Sequence, residues 1–410
     1  MSRSLKINPE YIPKAELALK QKGYTNKSTF AELIPLARAT VTKFFTGKPI
    51  SHENFTTICE KLGLDWQEIA LLEETFGKGE IDRKDWGGVP EADFFYGRTE
   101  ELAEIKRWII GDKCRLITVF GMAGMGKTAL AVKLAQGIEG DFDYLIYRSL
   151  KQASRLTELL GDWLEILTNS PRRELSDSID IRLARLIDRM TYHRCLLLLD
   201  DGEEILQSGD LSGRYREEFQ DYEKLLRRVG EAPHRSCLVL MSREKPKDID
   251  FLERRQNTVK SLSLGGLDEL SAREMVNKEG GEGTEGDIRD FIELYRGNPF
   301  FLKLALARIV DLFGGNIAEF LQAGTINFSD INGMIEVHLQ RLSEIEREIL
   351  EVLAREEEAI SVSELRSRFD KPGLTDAVDS LRKRSFIESR DSGFILPNLI
   401  KSYVRGLQSR

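Results

Sequence analysis

The chain has 410 residues, 41% of them hydrophobic, and a net charge of −8. That length predicts two to four domains with real cores, and the acidic balance excludes a uniformly basic coat for nucleic acid. Cys59, Cys114, Cys195 and Cys237 lie far apart without a CxxC pair, which argues against a disulfide framework or zinc knuckle and for a reducing cytoplasm. No run approaches the roughly 18 apolar residues of a membrane span, and no start-of-chain segment resembles a signal peptide.

The first part, residues 1–75, reads as an all-α unit. A helix is expected from about Pro9 to Lys22, then two short helices between Lys27 and Lys48. Phe30, Ala31, Leu36, Val41, Phe44 and Gly47 stand at the spacings of a helix-turn-helix, similar to the Cro/repressor type, although Pro35 occupies the usual turn-glycine position. If the unit binds DNA, Arg38, Thr42 and Lys43 would face the duplex, with Thr40 and Thr46 behind them. Residues 1–70 carry ten Lys/Arg against seven Asp/Glu, only a mild basic tilt. A small helical adaptor gripping an effector protein explains the same pattern, so both readings stay open. Residues 76–92, rich in Gly and charge, read as a linker.

Residues 93–255 carry the strongest signal. Phe94-Phe95-Tyr96-Gly97-Arg98 leads into a helix and offers an aromatic loop against which a purine would lie. The apolar run Leu116 to Phe120 then opens onto Gly121-Met122-Ala123-Gly124-Met125-Gly126-Lys127-Thr128-Ala129. Strand, glycine loop and helix in this order make a phosphate cradle, because glycines turn backbone N–H groups inward and the helix start adds a positive dipole end. Lys127 would reach the β- and γ-phosphates, and Thr128 would ligate Mg²⁺. A second strand, Cys195 to Leu199, ends in Asp200-Asp201. Asp200 is expected to hold Mg²⁺ as the Walker B carboxylate, and Asp201 to orient the attacking water. A third, Cys237 to Met241, ends in Ser242-Arg243, where Arg243 would contact the γ-phosphate.

Residues 256–330 read as a helical domain interrupted by Gly297-Asn298-Pro299-Phe300, with Pro299 placed to start a helix. Residues 331–410 read as helices followed by a hairpin, Phe386-Ile387-Glu388 with Phe394-Ile395-Leu396, turned at Asp391-Ser392-Gly393, the pattern of a winged helix.

Taken together, Phe95-Tyr96-Gly97-Arg98, the glycine loop, Asp200-Asp201, Ser242-Arg243, Gly297-Asn298-Pro299-Phe300 and Leu396-Pro397-Asn398 resemble the NB-ARC domain of STAND-class NTPases over about three-quarters of the chain. The resemblance implies a P-loop α/β domain, a helical domain and a winged helix that hold ADP in an off state and open when ATP replaces it. It further implies slow hydrolysis, nucleotide-dependent self-association, and Pro299 packed on adenine. In the family a Met-His-Asp motif reads the ADP β-phosphate. Here Pro397 stands in the histidine place and cannot donate that hydrogen bond, leaving Asn398 as a substitute. The arrangement is also similar to cyanobacterial signalling proteins that continue into WD40 or TPR sensor repeats, so a sensor partner is expected, or the chain is a shorter form. The competing reading is a DNA-binding transcriptional regulator whose nucleotide domain controls oligomerisation.

Overall fold

The computed structural model describes residues 4–8, 11–24, 27–34, 36–71, 84–86, 88–89, 95–168, 171–172, 175–324, 328–369, 371–390 and 393–408. Pro35, Phe94, Asp391, Ser392 and most of the expected linker lie outside them. The chain divides into Met1–Ile81 and Asp82–Arg410. Among the described residues, no helix is long and apolar enough to cross a membrane, and all four cysteines are free and buried.

The N-terminal unit is not all-α. Strand β1 (Ser4–Ile7) lies between β2 (Ile50–Ser51) and β3 (Ala70–Leu71), antiparallel to both. Leu5 and Ile7 alternate with Lys6 and enter the core, but four residues are too short a run for a period of two to stand out in a sequence. Around this sheet stand helices Ile12–Gln21, Lys27–Leu33, Arg38–Phe45, His52–Leu62 and Trp66–Ile69. Helix Arg38–Phe45 buries Val41, Phe44 and Phe45. It leaves Arg38, Thr42 and Lys43 exposed, and the Thr42 hydroxyl donates to the Arg38 carbonyl at 2.9 Å.

The second unit is built on six parallel strands: β4 (Lys84–Asp85), β5 (Leu116–Phe120), β6 (Tyr144–Ser149), β7 (Cys195–Asp200), β8 (Cys237–Ser242) and β9 (Val259–Ser263), in the spatial order β4-β6-β7-β8-β5-β9. All six residues of β7 and of β8 are buried, as expected for apolar strands with helices on both faces. Two features move the expected boundaries. Lys84–Asp85, within the expected linker, pairs with Leu145 and Ile146 as an edge strand, fixed by Arg148 donating to both Asp85 oxygens at 3.1 and 2.9 Å. The sheet also runs on to Ser263, so residues 259–263 belong to it rather than to the helical part expected from 256.

Beyond the sheet come helices Glu269–Lys278, Glu285–Leu294, Pro299–Phe313, Ile317–Ala323 and Ser329–Leu339. The C-terminal section contains helices Glu344–Arg355, Val362–Arg368 and Leu374–Lys383, the hairpin β10 (Glu388–Arg390) with β11 (Gly393–Ile395), and helix Asn398–Gln408. Ile360 forms an isolated antiparallel bridge to Phe394 of β11.

Candidate functional site

Strand order positions the site. β8 lies between β5, which feeds the glycine loop, and β7, which ends in Asp200, so the residue following β8 faces the gap between loop and carboxylate. That residue is Arg243.

In the loop, Gly121, Gly124 and Gly126 take φ of 152°, 79° and 87°, a region closed to most side chains. Helix Lys127–Ile138 begins directly after Gly126. The Lys127 ammonium donates to the Gly121 and Met122 carbonyls at 2.8 and 3.1 Å. Burial lowers its pKa, while Glu203 and Asp200 pull in the opposite direction. The Thr128 hydroxyl donates to Asp200 Oδ2 at 2.5 Å, and the Tyr147 hydroxyl donates to the same oxygen at 3.0 Å. Burial pushes the Asp200 carboxyl above its ordinary value. A buried carboxylate converging with a helix-start hydroxyl is a donor set that fits Mg²⁺, which takes few protein ligands and keeps phosphate and water for the rest. Asp201 has φ of 57° and accepts from the Ser149 hydroxyl at 2.5 Å. Gly124, Gly126, Lys127, Thr128, Asp200 and Asp201, with Ala129, Glu203, Arg243 and Phe300, line a cleft of about 310 Å³.

The other expected site residues divide. Arg98 is buried, and its guanidinium donates to the carbonyls of Met125, Gly265 and Gly266 at 3.1, 2.6 and 3.1 Å; it braces the glycine loop from behind. Phe95 and Tyr96 are half-buried, and the Tyr96 hydroxyl donates to Glu279 at 3.0 Å. Gly97, with φ of 59°, makes the turn before Arg98. Pro299 lies next to the loop: a Cβ on Gly126 would stand 4.0 Å from its Cγ. Pro397 is buried and Asn398 exposed, and neither lines the cleft; Pro397 gives its carbonyl to the Lys401 N–H at 2.8 Å.

Three residues that close the site were not anticipated. Asn298 donates to the Ala123 carbonyl at 3.0 Å while its own carbonyl caps the N–H groups of Phe300 and Phe301. His338, on helix Ser329–Leu339, accepts the Ala123 N–H at Nε2, 3.2 Å away. Burial first, then the charges of Arg243, Lys127, Arg341 and Arg384, lower its pKa to about 3, so the imidazole is a neutral acceptor. Glu203 pairs with Arg243, its Oε1 2.6 Å from Nε. The acidic run after β7 was a signal for Glu203. None existed for His338, whose partner is 215 positions away.

A parallel sheet with a glycine loop and lysine after one strand, and a hydroxyl-bound aspartate after another, defines a P-loop nucleoside triphosphatase fold. Within it, residues 98–212 match the NB-ARC domain. An uncharacterized WD repeat-containing protein of Nostoc sp. (strain PCC 7120) is 36% identical over 399 residues, which span 90% of this chain and 32% of that protein. The chain thus spans about a third of the length of that relative. Among solved structures, a Walker-type ATPase of Pyrococcus abyssi is similar with a TM-score of 0.54 at 15% identity, over 79% of this chain and 99% of that one. A Signal Transduction ATPase with Numerous Domains (STAND) protein with a tetratricopeptide repeat sensor, from Pyrococcus horikoshii, gives a TM-score of 0.42 at 18% identity, over 79% of this chain and 44% of that one.

Proposed function

We propose that the protein is an ATP/ADP-dependent molecular switch of the STAND NB-ARC type. One observation carries this reading: Ala123 of the phosphate loop is held on both sides by groups from outside the sheet, Asn298 at its carbonyl and His338 at its N–H. A phosphate at this loop is therefore in physical communication with the helical part and, through helix Ser329–Leu339, with the C-terminal section. A ligand shifts such an equilibrium only by its differential affinity for the two arrangements.

In this reading Lys127 holds the β- and γ-phosphates, Thr128 and Asp200 hold Mg²⁺, which neutralises phosphate charge, and Asp201 orients water for slow hydrolysis. Arg243 distinguishes triphosphate from diphosphate, and Pro299 packs on the adenine. ADP keeps the C-terminal section, read as a winged helix, against the loop; ATP releases it and permits self-association. The N-terminal unit then acts on its target, and a sensor partner supplies the trigger. The test is to denature the purified protein and identify the released nucleotide. Stoichiometric ADP from the wild type and none from Lys127→Ala is the expected result; an empty wild-type pocket would refute an ADP-held off state.

A second reading, a DNA-binding regulator, is favoured by Arg38, Thr42 and Lys43 standing exposed on one helix. It requires duplex binding by the full chain that weakens with salt and with Lys43→Ala. Absence of salt-sensitive binding leaves the N-terminal unit as a protein adaptor.

A further inference from the structure

Glu203 has no part in the nucleotide-binding roles assigned so far, yet it is the most buried acid of the cleft. It lies in the short turn Gly202–Ile205 and is 2% exposed. A carboxylate so buried requires compensating partners, and both of its oxygens are given to one residue. Oε1 forms an ion pair with Arg243 Nε, 2.6 Å away, and Oε2 accepts from the Arg243 backbone N–H at 2.9 Å. Gly202 makes this approach feasible: a Cβ there would stand 2.9 Å from Leu240 Cδ1 and 3.1 Å from Ser242 Cβ, so only a residue without a side chain lets the turn rest on the end of β8.

Because Glu203 engages the guanidinium through Nε, the two terminal nitrogens of Arg243 are left over. Among the described residues none accepts a hydrogen bond from them, and Arg243 lines the cleft beside Lys127 and Thr128. On its other side Glu203 touches the C-terminal part of the chain. Its carbonyl accepts from Arg341 Nη2 at 2.8 Å, and Arg341 Nε is bound to the buried Glu244 at 2.7 Å. Arg341 stands just past the helix that carries His338.

We propose that Glu203 is a positioning residue that aims the guanidinium fork of Arg243 at the terminal phosphate of a nucleoside triphosphate and links that contact to the Arg341 anchor. This rests on the nucleotide-switch reading and names the coupling residue within it. A guanidinium held at Nε presents its end to a phosphate in bidentate fashion without searching rotamers. Arg243 cannot leave Glu203 without stranding a buried charge, so the fork stays in one place. A phosphate that reaches it gains the contact; a shorter nucleotide gains nothing. Glu203 therefore sets discrimination between triphosphate and diphosphate rather than affinity for both.

The test uses the full chain with Mg²⁺, titrated with ADP and with a non-hydrolysable ATP analogue. Glu203→Gln is expected to keep ADP affinity and to lose about tenfold in the preference between the two nucleotides, with Glu203→Asp recovering part of it. An equal loss for both nucleotides would mean that Glu203 is merely structural and would overturn the proposal. An unchanged preference in Glu203→Gln, with the preference abolished in Arg243→Ala, would also overturn it while leaving the switch reading intact. An unchanged preference in Arg243→Ala removes the sensor assignment, and the proposal with it. Should the Glu203 variants not fold, Arg341→Gln, which lies outside the cleft, decides the link. It is expected to shift the preference in the same direction, and no shift refutes the coupling.

Discussion

His338 accepts a phosphate-loop N–H only while its imidazole is neutral, and this makes its contribution to stability pH-dependent. In the fold its pKa is lowered from 6.5 to about 3. The unfolded chain takes up the proton first, so the contribution is complete above about pH 6.5 and is lost as pH falls toward 3, by up to about 1.4 kcal/mol per pH unit. His338→Gln still offers an acceptor to Ala123 and is expected to remove this slope, read as Tm against pH between 7 and 4. His234, lowered to about 4 by its own burial, is present in both proteins, so their difference isolates His338. Identical pH profiles would refute the assignment. His338→Ala leaves the Ala123 N–H buried without its partner and should cost about 1–3 kcal/mol at neutral pH. Gly121 to Thr128 and Asp200 were legible in the sequence because a phosphate loop needs its residues at fixed local spacing. His338 was not, because its role arises only when a distant helix is packed against the loop.

The Gly297-Asn298-Pro299-Phe300 element shows how tightly the loop and the helical part are fitted. A Cβ on Gly124 would stand 2.7 Å from Asn298 Oδ1 and 2.8 Å from Phe300 Cβ, at a φ of 79°. Gly124→Ala therefore meets both strain and crowding and should cost about 1–3 kcal/mol, with a lower Tm and weaker ADP binding than wild type. Wild-type stability would show that the element yields. The helix after Asn298 could be read from its proline and the apolar residues that follow. Strand β9, Val259-Lys260-Ser261-Leu262-Ser263, could not: only Val259 is buried, the next three residues are partly exposed and Ser263 is exposed, so it lacks the continuous apolar run that announced β7 and β8. The edge strand Lys84–Asp85 is two charged residues held by Arg148 and by pairing with β6, features that no local pattern carries.

For the molecule as a whole, nucleotide binding to the native state alone should raise stability by mass action, about 2.7 kcal/mol at a free concentration a hundred times Kd. Thermal unfolding with and without Mg²⁺-nucleotide measures this, and the shift is expected to vanish in Lys127→Ala; a shift that survives would place the nucleotide elsewhere. The division of the chain between Ile81 and Asp82 falls within residues 76–92, where the composition shifts toward glycine and charge. The small sheet of the N-terminal unit was hidden by strands of two to four residues. The clasp on Ala123 has a further consequence, in the entropy and kinetics of the loop. A residue whose flanking peptide units are held, one by its N–H and the other by its C=O, has little rotation left, so the loop's ordering has been completed before a phosphate arrives. Reciprocity then requires that whatever closure contributes to holding the nucleotide, the nucleotide contributes equally to holding closure. A trigger that draws helix Ser329–Leu339 off the loop would return that freedom to it, and so act as an exchange factor, shortening the residence time of the bound nucleotide without entering the cleft.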